Sequence, residues 1–124
     1  MTWTFDTNLP IYLQISKAIK LQIVTEQLAP GEQLPTVRDL AETAGVNPNT
    51  VQRALADLET EGLVYTVRTT GRFVTQETKQ IAQTRSSLAQ DEIKQFVTSM
   101  LKLGFQTEDL CQQIQHYLKG EPHD

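Results

Sequence analysis

The chain of 124 residues has few of the residues that carry catalysis, metal binding or covalent cross-linking. It contains a single cysteine, Cys111, and two histidines, His116 and His123. A lone cysteine cannot form an intrachain disulfide, so packing must supply the stability, and a reducing compartment fits. The spacing of Cys111 and His116 does not place both on one side of a helix. Because no Ser-His-Asp set or glycine-rich phosphate loop occurs either, we expect no metal site, no cofactor and no enzyme activity.

Long apolar runs and a positive net charge are also missing. No apolar stretch approaches the roughly 20 residues of a membrane helix, and the start MTWTFDTNLP lacks the charged and apolar regions of a signal peptide. We therefore expect a cytoplasmic protein without membrane contact. The formal net charge of −4 disfavours a polyanionic partner only if the acids are evenly spread, because salt screens charges beyond about 10 Å. Whether the chain can bind a polyanion therefore depends on where its acidic residues lie.

The first part of the chain predicts two helices separated by a turn. Apolar residues recur every three or four positions from Pro10 to about Gln27, which predicts an amphipathic helix with proline at its start. Two prolines and a glycine within 29–35 predict a turn. Thr36 is the expected N-cap of a short second helix that ends at Gly45, and Asp39 follows as in a capping box.

A third helix and a hairpin follow. Asn47 suits an N-cap, Pro48 suits the first turn and Gly62 suits the position after the end, so the helix is predicted over 48–61. The runs LVYTV and RFVT flank RTTG and predict a two-stranded hairpin. Three helices followed by a hairpin are the arrangement of a winged helix-turn-helix domain, which we predict over residues 1–75. By periodicity alone, any three-helix bundle with a hairpin gives the same pattern.

Residues 76–124 return to helical periodicity and predict a two-helix dimerisation tail. Gly104 separates two apolar stripes, and Thr107 opens the last helix. The stripes can pack on each other within one chain or bury against a second copy, and two such helices cover both stripes poorly. We therefore expect a homodimer. Its predicted contact residues are Ile93, Phe96, Val97, Met100, Leu110, Ile114 and Leu118. The predicted fold class is mainly α with a small β-hairpin wing.

The third helix has two contrasting sides. A narrow apolar stripe predicts the core-facing side, formed by Val51, Ala54, Leu55 and Leu58. The other side carries Asn49, Gln52 and Arg53. Asn and Gln can pair with adenine and Arg with guanine in the DNA major groove, so we expect Asn49 and Gln52 to favour A·T pairs. The alternative is an ordinary solvated helix surface.

The charge distribution favours a nucleic-acid partner. No acidic residue occurs between Glu42 and Asp57 or between Glu61 and Glu77. Four of the five arginines lie between the second helix and the end of the hairpin: Arg38, Arg53, Arg68 and Arg72. Acidic charge is thus absent from the segments that would meet phosphate.

Two of these segments have alternative interpretations. Arg38 can meet a backbone phosphate, and the alternative is a surface salt bridge to Asp39 or Glu42. Thr70, Gly71 and Arg72 of the wing can enter a minor groove, and the alternative is a plain hairpin turn.

The motifs resemble those of the GntR superfamily of bacterial transcription regulators. The matching stretches are PIYLQI at 10–15, PGEQLPTVRDLAETAGVNPNTVQRALADLETEGLV at 30–64 and TTGRFV at 69–74. The remaining residues resemble the short two-helix tail of the YtrA-like branch. This resemblance implies DNA contacts by Arg38, Asn47, Asn49, Thr50 and Gly71. The chain departs from FadR-like members in having Pro48 and Gln52 where they place arginines, so their base contacts do not transfer.

The sequence therefore predicts a DNA-binding transcriptional regulator. The resemblance implies a repressor that controls a transporter operon, and we expect it to bind a palindromic operator as a homodimer. A cleft between two subunits could hold an unknown small-molecule effector, and release from DNA could equally depend on another signal. The predicted DNA-binding residues are Arg38, Asn47, Asn49, Thr50, Gln52, Arg53, Gly71 and Arg72. The alternative hypothesis is a winged-helix module that binds another protein and no DNA.

Overall fold

A computed structural model describes residues 3–120 of the chain. Five helices and a two-stranded antiparallel sheet follow one another in the order α1 (Ile11–Val24), α2 (Val37–Ala44), α3 (Pro48–Thr60), β1 (Val64–Val67), β2 (Gly71–Val74), α4 (Thr78–Lys102) and α5 (Thr107–Lys119). The mainly helical fold class with a small hairpin wing is confirmed. The chain forms two compact units that divide within α4, after Arg85.

The first unit is built on the packing of α3 against α1. All four residues of the predicted core stripe of α3 are buried, and they pack in a core that includes Ile15, Ile19 and Ile23 of α1. Full burial of each large side chain contributes about 1.5–3 kcal/mol. Because one side of α3 is fixed in this core, its opposite side stays exposed.

The predicted caps hold α2 and α3 in place. The Thr36 hydroxyl accepts a hydrogen bond from the Asp39 amide at 3.1 Å, and the Asn47 side-chain oxygen accepts one from the Asn49 amide at 2.8 Å. Gly45 and Gly62 follow the two helices with φ of 70° and 77°, a conformation that glycine adopts without strain. The turn between α2 and α3 is therefore specified by local chemistry.

Helix α1 ends at Val24, earlier than the apolar periodicity predicts. Glu26 has a φ of 61°, which turns the chain out of the helix. The Leu28 amide then donates to the Gln22 carbonyl at 3.0 Å, and the Leu28 side chain is buried. Leu28 thus belongs to the core without belonging to the helix.

The wing has a third extended partner that the sequence did not predict. Within the predicted turn 29–35, Gln33 forms a β-bridge with Phe73. The Leu34 amide donates to the Arg72 carbonyl at 2.8 Å, and the Val74 amide donates to the Glu32 carbonyl at 2.8 Å. These bonds fix the hairpin to the segment that leads into α2.

The first turns of α4, up to Arg85, belong to the first unit and pack on its other helices. Ile81 is buried, and the Gln80 side-chain nitrogen Nε2 donates to the Glu61 carbonyl at 2.8 Å. The Arg85 guanidinium donates to the Val24 carbonyl at 2.6 Å through Nη2 and at 3.2 Å through Nε. These contacts satisfy carbonyls at the ends of α1 and α3.

The second unit contains the rest of α4 and all of α5. The chain turns at Gly104, whose φ is 99°, and α5 opens at Thr107 as predicted. The Gln106 amide donates to the Asp109 carboxylate at 3.4 Å at the start of α5. Leu110 is buried, whereas most other apolar side chains of this unit are exposed.

Replacing Thr36 tests the capping of α2. We expect Thr36→Ala to lower the free energy of unfolding by about 1 kcal/mol, because the Asp39 amide loses its acceptor. The matched control is Thr43→Ala, at an exposed interior position of the same helix, where alanine favours the helix. Urea unfolding at equal chain concentration measures both. Equal destabilisation by the two substitutions would contradict the capping role.

Candidate nucleic-acid interface

The N-terminal half of α3, residues 47–53, presents polar side chains to solvent. Asn49, Gln52 and Arg53 are exposed, and Thr50 is half-buried. Asn47 is exposed as well, but its side-chain oxygen already accepts the capping hydrogen bond. We call this part of α3 the reading surface. Its side chains can donate to and accept from the edges of base pairs.

Arg53 is held against an aromatic ring of α1. Its guanidinium carbon lies 3.8 Å from the centroid of the Tyr12 ring, which is the geometry of a cation–π contact. An open hollow of about 440 Å³ adjoins this pair, and its lining also includes Ile11, Asn49 and Thr50. The start of α1 thus orders the side chain of Arg53 on the reading surface.

Arg72 folds back from the wing onto α3. Its Nε donates to the Glu59 carboxylate at 3.2 Å, and its Nη2 donates to the Gln52 side-chain oxygen at 3.1 Å. Glu59 also accepts a hydrogen bond from the Thr66 hydroxyl. The side chain of Arg72 is only 27% exposed. The structure therefore brings the predicted residues Gln52 and Arg72 together at α3, and Arg72 does not extend from the hairpin turn.

The turn of the wing carries a different arginine. Arg68, Thr69 and Thr70 are exposed between the two strands. Gly71 follows with a φ of 132°, and a Cβ there would lie 2.8 Å from the Gln33 side-chain nitrogen. That nitrogen donates to the Thr70 carbonyl at 2.8 Å. Glycine thus allows the close approach that holds the turn, while Arg68 supplies its exposed positive charge.

Arg38 lies on α2 near the start of α3. An open hollow of about 330 Å³ is lined by Arg38 and Pro48 together with the turn between the two helices. The Arg38 Nε lies 3.6 Å from a Glu42 oxygen, with the two side chains 87% and 70% exposed. The alternative of a surface salt bridge is therefore realised with Glu42. Exposed pairs of this kind contribute about 0–1 kcal/mol, so a phosphate can displace the carboxylate.

Two glutamates at the C-terminal end of α3, one in the helix and one directly after it, are paired with cations from other elements. Glu59 pairs with Arg72 of β2, and Glu61, which follows the helix, pairs with Lys20 of α1 at 2.9 Å. The reading surface contains no carboxylate. Negative charge is thus both placed away from the reading surface and partly neutralised.

Sequence reasoning did not select three residues that shape this surface: Tyr12, Glu59 and Arg68. Arg68 had a usable signal, because it lies in the acid-free segment and in the predicted hairpin turn. Tyr12 and Glu59 contact Arg53 and Arg72 across large sequence separations. Helical periodicity contains no information about such pairs.

The tail residues predicted for dimerisation differ in their exposure. Ile93, Phe96, Ile114 and Leu118 are exposed, and Val97 and Met100 are half-buried. Leu110 is 7% exposed and is therefore already covered within the chain. Further exposed apolar side chains of the same unit, outside the predicted set, are Leu101, Leu103, Phe105 and Tyr117. We call the exposed members of both sets the tail surface.

Residues 3–120 contain neither a metal-binding cluster nor a membrane-spanning helix. No group of three or more His, Cys, Asp or Glu side chains in this range is placed to hold a metal ion. Within the same range no helix combines the length and the apolar character needed to span a bilayer. His123 lies outside the described residues.

The fold and the reading surface define a winged helix-turn-helix protein. Residues 11–74 match the family model described as bacterial regulatory proteins of the gntR family. A Bacillus subtilis HTH-type transcriptional regulator, YhcF, is 34% identical over 94% of this chain and 96% of its own length. The B. subtilis HTH-type transcriptional repressor YtrA is 31% identical over 87% of this chain and 84% of its own length.

Solved structures of transcription regulators are also similar to this chain. A GntR family transcriptional regulator from Listeria monocytogenes has a TM-score of 0.83 and 39% identity, with 90% of this chain and 97% of that chain covered. The DNA-binding domain of AraR in complex with operator ORX1 has a TM-score of 0.53 and 30% identity, with 60% of this chain and 92% of that chain covered.

The chain belongs to the GntR family, and its relatives agree with the YtrA-like branch. It is a DNA-binding transcriptional regulator, and the family and these relatives are transcription regulators rather than enzymes. This finding favours DNA over the alternative hypothesis of a module that binds only protein.

A double-mutant cycle tests the contact between Tyr12 and Arg53. We expect Tyr12→Leu and Arg53→Met to be coupled by about 0.5–1 kcal/mol in the free energy of unfolding, the usual contribution of an exposed cation–π pair. The control cycle combines Tyr12→Leu with Arg38→Met, which should be additive. A Tyr12–Arg53 coupling no larger than that of the control would contradict the contact.

Proposed function

We propose that the chain is a homodimeric repressor that inserts α3 into the major groove of each half of a palindromic operator. The observation that carries the proposal is the exposed, acid-free reading surface at the start of α3, flanked by Arg38 and the wing. In this geometry Asn49, Gln52 and Arg53 face base edges.

Phosphate contacts would position the domain on the duplex. Arg38 and the free amides at the start of α2 suit this task, because helix N-termini favour anions. Asn47 and Thr50 lie in or next to the first turn of α3 and would add polar contacts. At the wing, Gly71 would allow close approach, and we assign the charge that meets the minor groove to Arg68.

The tail surface supports the homodimer. Leu118 is 75% exposed and Tyr117 is 76% exposed, and such apolar clusters mark interfaces. A second copy is the occupant we propose, because one winged helix-turn-helix domain with few basic residues is a weak DNA ligand. A two-fold dimer doubles the phosphate contacts and reads two half-sites. Leu110, already buried, would support this interface from beneath.

Occupation of the operator would block transcription and thus produce repression. The relative YtrA is named as a repressor, and we propose repression rather than activation for this chain as well. The proposal places the protein in the cytoplasm, where bacterial DNA lies, and its own upstream region and neighbouring transporter genes are the first targets to test. A small-molecule effector would bind between two subunits, because a two-helix tail is short for enclosing a ligand by itself.

Substitution at the reading surface tests DNA binding. We expect Arg53→Met to weaken binding to the operator by about 1–3 kcal/mol, because a base contact is lost. We expect Arg38→Met to weaken binding to all sequences and to reduce the salt dependence by about 0.9 for each phosphate contact. Fluorescence anisotropy with labelled duplexes from the upstream region of its own gene, with competitor DNA, measures both.

The control for these variants is Lys79→Met, which removes the same charge. Lys79 precedes Gln80, which contacts the end of α3 opposite to the reading surface. Its substitution should leave affinity almost unchanged. If Lys79→Met weakened binding as much as Arg53→Met, net charge rather than the reading surface would determine affinity.

Charge introduced into the tail surface tests the dimer. We expect Leu118→Glu to shift the protein towards monomer, because a carboxylate would be buried without a partner. The chain's own fold should tolerate it, since Leu118 is mostly exposed. Sedimentation velocity at micromolar concentration measures the change, and Gln115→Glu adds the same charge at another exposed position of α5. A wild-type protein that sediments as a monomer would overturn the proposed dimer.

A further inference from the structure

The contact between the wing and α3 places a charged donor beside a side chain of the reading surface. Arg72 Nη2 donates to the Gln52 oxygen at 3.1 Å, and Arg72 Nε donates to Glu59 at 3.2 Å. A guanidinium is planar, so two hydrogen bonds in different directions fix its orientation. Arg72 is also part-buried, and its freedom to move away is limited.

Helix geometry explains why one arginine reaches both partners. Gln52 and Glu59 are seven residues apart, which places them on the same side of α3 about two turns from each other. Ala56 lies between them on that side and has a small side chain. Arg72 from β2 therefore lies across this side of the helix and meets both side chains.

The chemistry of arginine determines which way the Gln52 amide points. Arginine offers only donors, so it must face the amide oxygen and never the amide NH2. The Glu59 carboxylate keeps the guanidinium in place. Gln52 therefore has its oxygen directed to the wing, and its NH2 group is the part left to meet a ligand.

We propose that Arg72 is a positioning residue for base recognition, which holds Gln52 as a hydrogen-bond donor to an operator base. This inference rests on the proposed function. Recognition of adenine needs the amide oxygen and the NH2 group on the same base edge, whereas guanine offers two acceptors, O6 and N7. A cation beside the Gln52 oxygen also disfavours the approach of the adenine amino donor. Thymine O4 and adenine N7 each offer a single acceptor, so guanine, with two, is the base that best fits Gln52, rather than the adenine that the side chain alone predicts.

Selection from a random duplex library tests this assignment. Wild-type protein should enrich guanine at one position of each half-site, by about tenfold over adenine, within the usual range for a good base contact. Gln52→Ala should abolish the base preference at that position, which identifies it as the position that Gln52 contacts. Arg72→Met should reduce the same preference while leaving the preferences at other positions in place.

Arg72→Lys distinguishes the positioning of Gln52 by the guanidinium from the effect of the positive charge alone. Lysine keeps the positive charge but lacks the planar fork, so the preference for guanine should still fall by several-fold. In the Gln52→Ala background, Arg72→Lys should have no further effect on that position. Urea unfolding of each variant verifies that the winged domain still folds.

Three results would overturn the inference. The first is a wild-type preference for adenine at the Gln52 position. The second is an Arg72→Met variant with unchanged preferences, weaker binding to every sequence and a salt dependence lowered by about one unit, which indicates a direct phosphate contact. The third is an Arg72→Lys variant with the wild-type preference. Failure of the wild-type protein to enrich any sequence would instead contradict the proposed function itself.

Discussion

The burial of one side of α3 against α1 is the constraint on which the rest of the structure depends. Val51, Leu55 and Leu58 are fully buried with Ile15 and Ile19 of α1, and such close packing tolerates little change in volume. This packing fixes the rotation of α3 about its own axis. Because the apolar side of α3 faces the core, the polar residues of the reading surface face solvent.

The net negative charge of the chain is compatible with a polyanionic partner because of where its acids lie. Glu59 and Glu61 are near the far end of α3, and each forms an ion pair with a cation from another element. The start of α3 has no carboxylate, and the helix dipole adds positive potential there. At distances within a Debye length the local arrangement outweighs the total charge.

Sequence reasoning predicted the elements of the winged domain well because local chemistry specifies them. Caps such as Thr36 and Asn47 and a left-handed Gly45 act within a few residues, and the structure contains each of them. The bridge of Gln33 to the wing and the fold-back of Arg72 were not predicted. Both depend on side-chain and backbone contacts between distant segments, and hydrophobic periodicity does not encode such contacts.

Contacts from neighbouring elements prepare the reading surface for DNA before DNA is bound. Tyr12 of α1 holds Arg53, and Arg72 of β2 holds Gln52. Ordering a long side chain on binding costs about 0.5–1.5 kcal/mol, so prior ordering favours affinity. It also limits each side chain to fewer base partners. If α3 reads base edges as proposed, its base preference would depend on residues of α1 and the wing as well as on the helix itself, and relatives with identical α3 residues would be able to differ in their operators.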